Sequence, residues 1–172
     1  MREILFRGKR ADYGEWIEGY YAKQSNHACF AHELKYQHFI FKDVCLDFNL
    51  GGLQEFEIIP ETVGQYTGLT DKNGVRIFEG DIFKFDDEVW ESSYTSCGTE
   101  YDSFAVENYG VVGFDEDMAR FDFIKYKFSE NSVEADLHEN HTIDFSEFVC
   151  ELEVIGNIHD NPELVEGGEG NG

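Results

Sequence analysis

Short runs of aromatic and β-branched residues recur along the chain, separated by glycines and polar turn residues. In the first third, such runs cover residues 3–7, 15–22, 36–42 and 55–59, and the second and fourth partly alternate between apolar and polar positions. That period of two is typical of half-buried strands. Helical periodicity is scarce, and the chain has only two prolines. The pattern predicts a mainly β protein with little helix, whose amino-terminal β-sheet spans residues 1–62.

Further strand candidates follow in the second part of the chain. Asn73-Gly74 is a strong hairpin dipeptide, because both residue types tolerate positive φ. Residues 75–78, 80–85, 109–114 and 119–126 are short strand candidates with glycine corners, and 152–158 is the last one. We expect these strands to form a small barrel over residues 63–164, packed with the first part as one compact unit. The core positions predicted for it are Ile77, Phe78, Ile82, Val154, Ile155 and Ile158.

Two long polar segments, at about 87–108 and 129–147, interrupt this series of strands. Loops longer than about 12 to 15 residues are usually functional or disordered. We therefore interpret both segments as acidic insertions, the second ending in one helical turn at 144–149. The glycine-rich residues 165–172 are predicted to form a flexible tail.

The charge of the chain is strongly one-sided. Its 172 residues include 36 acidic and 13 basic ones, which gives a net charge of −23. Residues 86–172 hold 23 of the acids and three of the bases, and no Lys or Arg lies between Lys84 and Arg120. This excludes a protein that binds nucleic acid directly through basic patches. No apolar run approaches the roughly 18 residues that span a bilayer, and residues 1–7 lack a secretory signal, so we expect a soluble cytoplasmic protein that binds no membrane.

Two sequence blocks resemble the YopX protein family. They are QYTGLTDKNGVRIFEGDIF at 65–83 and VIGNIHDNPEL at 154–164, and residues 1–8 and 110–114 are also similar. The resemblance implies a protein encoded by a phage or prophage, mostly β, with an SH3-like barrel in its carboxy-terminal part. The molecular function of the family is uncharacterised, so the resemblance supplies no catalytic residues. The two acidic insertions depart from the family pattern, which leaves a shared partner open.

The residues of these blocks also have a physical interpretation as folding information. Turn residues flanked by alternating apolar positions need no ligand to explain them. Asp71 and Asn73 are candidates for side-chain hydrogen bonds within a turn. The glycines predicted to have positive φ or close backbone contacts are Gly64, Gly68, Gly74, Gly80 and Gly156.

The cysteines and histidines form no standard metal motif. Four cysteines lie far apart and never as Cys-x-x-Cys, so we interpret them as reduced thiols, with Cys29 and Cys150 as small buried hydrophobes. A zinc set of His27, Cys29 and His32 with Cys45 matches no known spacing, and an ordinary loop or strand explains these residues better. His138 and His141 lack the zinc-protease spacing and are better explained as surface histidines.

Carboxylates provide two more candidate sites. Asp115, Asp117 and Asp122 offer oxygen ligands, but the glycine and terminal Glu of a calcium loop are missing. Asp81, His159 and Asp160 make up a conceivable acid/base group at the rim of the barrel. No nucleophile elbow, phosphate-binding loop or dinucleotide fingerprint occurs. We therefore predict a protein that is not an enzyme and that uses no metal and no cofactor.

The acidic carboxy-terminal half suggests a binding function. The leading hypothesis is a module that contacts a host or phage protein, with DNA mimicry toward a nucleic-acid-binding protein as one version. The candidate acidic surface is Asp86, Asp87, Glu88, Glu91, Asp115, Glu116 and Asp117. The candidate aromatic anchors are Trp90, Tyr94, Tyr101 and Phe104.

Three alternatives to this hypothesis stay open. The acids could be scattered and serve only solubility. The protein could be a structural homo-oligomer, in which repulsion between acidic halves directs the contact toward the near-neutral amino-terminal sheet. The third alternative is a metal-assisted enzyme whose ligands converge only in the fold.

Overall fold

The computed structural model describes residues 3–26, 35–46, 50–95, 97–127 and 145–165. Almost all of its regular structure is antiparallel strand, as predicted. Short 3-10 turns lie at Pro60–Thr62 and Pro162–Leu164. The remaining elements are β1 (Phe6–Lys9), β2 (Trp16–Asn26), β3 (Lys35–Leu46), β4 (Leu50–Glu57), β5 (Gly64–Thr70), β6 (Arg76–Phe78), β7 (Asp81–Thr95), β8 (Gly98–Asp115), β9 (Arg120–Lys127), α1 (Phe145–Val149) and β10 (Val154–Asn157).

The strands form two sheets, with orders β4-β3-β2-β1-β5-β6 and β10-β7-β8-β9. The chain divides into two compact units, Met1–Gly68 and Leu69–Gly172. The boundary predicted from the sequence lies between residues 62 and 63. The first unit holds ten acids and seven bases and the second 26 acids and six bases, so nearly all of the net charge belongs to the second unit.

In the first unit, β1 to β4 form a meander in which consecutive strands pair, and β5 returns to pair with β1. Its core is Ile17, Ile40 and Ile58, with Tyr21, Phe56 and Val63 packed against it. The strands approach each other closely at Gly19, where an added Cβ would lie 2.2 Å from the carbonyl oxygen of Phe41. Glycine therefore permits this pairing of β2 with β3.

The second unit has apolar residues on both faces of its sheet. Consecutive residues of a strand point to opposite faces. On one face, Phe83 accordingly packs in a cluster with Phe123 of β9 and Phe145 of α1, whose rings lie 5.2 Å apart. On the other face, Ile82 packs with Val111 and Val165. Three of the six predicted core residues are buried in this unit, namely Ile77, Phe78 and Ile82.

Some details of the second unit differ from the sequence analysis. The sheet ends at β9 on one side and β10 on the other, and no ladder between these two strands closes a barrel in the part of the chain that the structure describes. Val154 and Ile158 are half-buried, and Ile155 is exposed because a bulge between Val154 and Gly156 breaks the alternation of β10. Cys150 is also exposed, since α1 ends at Val149 and buries that residue instead.

The insertion at 87–108 differs most from its prediction, because it consists of strand rather than loop. Strands β7 and β8 run through it in unbroken register, from Ile82 opposite Val111 to Thr95 opposite Gly98. The second insertion and the tail lie largely outside the described residues. Of the predicted turn at 144–149, residues Phe145–Val149 form α1.

Candidate functional site

The side chain of Asp71 stabilises the turn within the first family block, residues 65–83. Its Oδ1 accepts hydrogen bonds from the backbone N–H groups of Asn73 and Val75, both at 2.8 Å, and its Oδ2 accepts one from Val154 at 3.2 Å. Burial of Asp71, which is 5% exposed, opposes the charged form, but these hydrogen bonds and nearby Lys72 hold the pKa of the carboxyl below its ordinary value. The side chain therefore joins the two family blocks.

Backbone contacts connect the same two blocks at a second place. Gly80, at φ +82°, donates to the carbonyl of Val112 and accepts from the N–H of Ile158. Asp81 lies opposite Asn157 in the ladder and accepts the N–H of Phe78 at 2.8 Å. Gly68 and Gly74 also have positive φ, and an added Cβ at Gly156 would lie 2.6 Å from Oδ1 of Asn161, so these glycine predictions are confirmed. These contacts support the structural interpretation of the family blocks.

The three residues of the conceivable acid/base group make contacts within turns. Asp81 is 1% exposed, and its carboxylate binds a backbone N–H in the turn that follows β6. His159 donates its own backbone N–H to Oδ1 of Asn157, and Asp160 is exposed. This hydrogen bond from Phe78 to Asp81 is typical of a turn-stabilising carboxylate.

A two-stranded ribbon extends the second sheet and carries most of the candidate surface. Strand β10 pairs with β7 only at Asp81–Phe83, and β9 pairs with β8 only from Tyr109 to Asp115. Residues 86–95 and 98–108 thus pair only with each other among the described residues. We call these two segments the acidic ribbon, because they contain seven acids and no Lys or Arg. The ladder spans about 30 Å at roughly 3.3 Å per residue.

Register places acids opposite acids within the ribbon. Asp86 lies opposite Glu107, and Glu91 lies opposite Asp102. Like charges at opposed ladder positions destabilise a sheet. At the base of the ribbon, Lys84 forms an ion pair with Glu107, whose hydrogen bond raises the pKa of the lysine. The ribbon itself contains seven acids and no Lys or Arg.

The remaining acidic candidates lie on the turn between β8 and β9 rather than on the ribbon. Oδ1 of Asp115 accepts the N–H groups of Asp117 and Met118, so Asp115 stabilises the turn. Glu116 and Asp117 are exposed, and Asp122 pairs with Arg120 at 2.7 Å. The structure thus divides the predicted surface into Asp86, Asp87, Glu88 and Glu91 on the ribbon and Asp115, Glu116 and Asp117 on the turn.

The four predicted aromatic anchors all belong to the ribbon. Trp90 and Tyr94 are in β7, and Tyr101 and Phe104 are in β8. In the ladder, Trp90 lies opposite Ser103 and Tyr101 lies opposite Ser92. The ribbon therefore combines all four aromatic residues with seven carboxylates.

The metal candidates fall mostly outside the described residues. The candidates outside the described residues are His27, Cys29, His32, His138 and His141. Cys45 is described, and it lies opposite Gly51 in the ladder of β3 and β4. Within the described ranges, no three His, Cys, Asp or Glu residues come together in a way that could hold a metal ion. Cys97, next to the ribbon's tip, is exposed.

The first sheet has a charge pattern that the sequence analysis missed. Over residues 16–25, 36–43 and 52–57 of β2, β3 and β4, the ladders place Lys23 opposite His38 and Lys42 opposite Gln54. Both lysines therefore lie on the face that contains Ile40, and the four carboxylates of these ranges lie on the other face. These carboxylates are Glu18, Asp43, Glu55 and Glu57. Counting charges by odd and even positions along each strand would have shown the separation.

Comparisons with known proteins find a family and similarity to solved structures. A family model described as YopX protein matches residues 6–166. The crystal structure of protein EF1440 from Enterococcus faecalis has 23% sequence identity, with coverage of 96% of this chain and 100% of that chain, at a TM-score of 0.43. No curated protein matches the sequence. Among the described residues, no helix has the length and apolar character needed to cross a membrane.

Proposed function

This chain belongs to the YopX protein family, and we propose that it is a non-catalytic binding module that contacts a host or phage protein through the acidic ribbon. The observation that supports this proposal is the ribbon itself, with seven acids, no base and two acid-on-acid register pairs. Such pairs weaken a free ribbon. A basic partner removes that repulsion on binding, so an arrangement that is unfavourable in the free protein favours the complex.

In the DNA-mimic version of this proposal, the charge density of the ribbon indicates which form of DNA it would imitate. Over about 30 Å, a DNA duplex has roughly 18 phosphates and one of its strands has roughly nine. The ribbon has seven carboxylates over that length, close to the count of a single strand. The partner that fits best is therefore a protein with a narrow basic groove, such as one that accommodates a single strand of nucleic acid.

The aromatic residues of the ribbon give the proposal a source of affinity besides charge. Charge complementarity mainly speeds association and selects the partner, whereas buried aromatic side chains contribute most to affinity. We propose Trp90, Tyr94, Tyr101 and Phe104 as the anchors. Because they are distributed over both strands of the ribbon, the contact runs along its length.

Two finer expectations belong with this proposal. We propose that the second unit is a variant of the SH3-like barrel, on the strength of the family resemblance. We also propose that the protein acts in the cytoplasm of the bacterial host, where a phage protein meets host proteins.

A pull-down from bacterial lysate tests the proposal, with the purified chain as bait and washes at rising salt. The ribbon variant combines Asp87→Asn, Glu88→Gln, Glu91→Gln and Asp102→Asn. The control variant makes the same change in net charge on the first unit and combines Glu15→Gln, Asp43→Asn, Glu55→Gln and Glu61→Gln. We expect the ribbon variant to capture about tenfold less of one basic protein than the control does, because only it loses the complementary charge.

Elution by competing DNA identifies that captured protein as one that binds nucleic acid. Equal capture by the wild type and the ribbon variant would contradict the proposal. Equal losses in both variants would contradict it too, because they would show an effect of net charge rather than of the ribbon.

A further inference from the structure

The first sheet separates its charges between its two faces. In the ladders of β2, β3 and β4, the face that contains Ile40 bears Lys23 and Lys42 and no carboxylate over the ranges given above. The protein has a net charge of −23, so an acid-free face is unlike the rest of its composition. We call it the lysine face.

The lysine face also carries aromatic and hydrogen-bonding groups next to its charges. Nζ of Lys23 lies 4.4 Å from the ring centroid of Tyr36, which is 52% exposed. The hydroxyl of Tyr21 and Nδ1 of His38 are 2.8 Å apart. Both lysines are exposed. A polar aromatic surface with ammonium groups favours an anionic partner that also presents aromatic side chains.

We propose that the lysine face is a docking surface for the acidic ribbon of a second copy of this chain. The argument is charge complementarity, since the ribbon has no base over residues 86–108 and the lysine face has no acid. Spacing agrees as well. Lys23 is opposite His38, four residues from Lys42, which separates the two lysine Cα atoms by about 14 Å. Asp87 and Glu91 are four residues apart in β7, which separates their Cα atoms by about 13 Å.

The size of the contact sets its strength. A two-stranded ribbon about 30 Å long and roughly 10 Å wide covers about 300 Å² of a flat surface. A standard protein interface buries about 800 Å² per partner. Association between copies is therefore weak and depends on charge, so it is seen at high protein concentration and low salt.

This inference is separate from the proposed function, although both use the ribbon. A basic partner and a second copy would compete for the same ribbon. Variants of Lys23 and Lys42 change only self-association, whereas neutralising the ribbon changes both. Loss of one activity without the other is therefore visible, and each proposal can fail alone.

Sedimentation velocity of the full chain over a concentration series tests the docking surface. We expect reversible dimers at low salt that dissociate at about 0.5 M NaCl, where the Debye length is roughly 4 Å. Lys23→Ala with Lys42→Ala should weaken the dimer about tenfold. The matched control places Gln24→Glu and Leu53→Glu on the opposite face, for the same change of net charge, and should leave the dimer within about twofold of the wild type. A wild type that is monomeric at low salt would overturn the proposal, as would equal losses in both variants.

A charge exchange distinguishes ribbon docking from any other use of the lysine face. A chain with Lys23→Glu and Lys42→Glu should not self-associate. Mixing it with a chain that carries Asp87→Lys and Glu91→Lys should restore a heterodimer, because the new glutamates face the new lysines. Circular dichroism checks that each variant folds. Failure of two folded variants to pair would mean that the lysine face binds something other than the ribbon.

Discussion

Replacing Asp71 by alanine should lower the free energy of unfolding of the second unit by about 4 kcal/mol. The substitution leaves the backbone N–H groups of Asn73, Val75 and Val154 without their acceptor. A buried donor that loses its partner costs about 1–3 kcal/mol, and these three hydrogen bonds are partly buried. The measurement is urea unfolding followed by circular dichroism. Glu116→Gln, at an exposed acid 45 positions further along, should change stability by less than about 0.5 kcal/mol.

Acid titration checks the physical cause of this loss. Because the folded protein holds the pKa of Asp71 below its ordinary value of 3.8, the carboxylate stabilises the fold at all pH values above that. The contribution is lost as the pH falls through the folded pKa. Asp71→Asn keeps one acceptor oxygen but no charge, so its deficit relative to the wild type should narrow in acid. A deficit that is constant from neutral pH to pH 2 or so would show that charge does not contribute.

Gly19→Ala should destabilise the first unit by about 3 kcal/mol or more. The new methyl group would lie 2.2 Å from the carbonyl oxygen of Phe41 and 2.9 Å from Cγ2 of Ile40. The first of these atoms belongs to the backbone of the paired strand, so the strands must separate to admit the methyl group. Thermal unfolding of the variant measures the loss.

Gly52→Ala is the matched control in the same sheet. An added Cβ at Gly52 meets no atom within 4 Å, so the substitution should leave stability unchanged or raise it by up to about 1 kcal/mol through the entropy of the unfolded chain. Similar losses at both glycines would contradict the close approach of β2 and β3.

Local features of the fold were predictable, and contacts that join distant parts of the chain were not. The turn at Asp71 was predicted because its bonds to Asn73 and Val75 lie within four residues. Its bond to Val154 spans 83 residues, and no periodicity in the sequence indicates it. The exposure of Ile155 depends on a bulge, which is a property of pairing between strands.

The acidic ribbon shows why part of the candidate site escaped the sequence analysis. Its acids are poor strand formers and lie opposite one another at two ladder positions, so local propensity favours a loop. Pairing of β7 with β8 overrides that propensity. The charge pattern of the first sheet was missed for a related reason, because three strands must be in register before Lys23 and Lys42 share a face.

Trimming the ribbon tests the central claim most directly. In the ladder, Thr95 lies opposite Gly98, and this pair flanks the two-residue connection between β7 and β8. Asp87 lies opposite Val106, an even number of residues away along β7, so it is a ladder pair of the same kind. Replacing residues 88–105 by Asn-Gly should therefore close a tight hairpin and remove all four aromatic anchors with four of the seven acids. We expect a chain with the wild-type unfolding temperature that no longer captures the basic partner from lysate. A trimmed chain that folds and captures that partner as well as the wild type does would contradict the account.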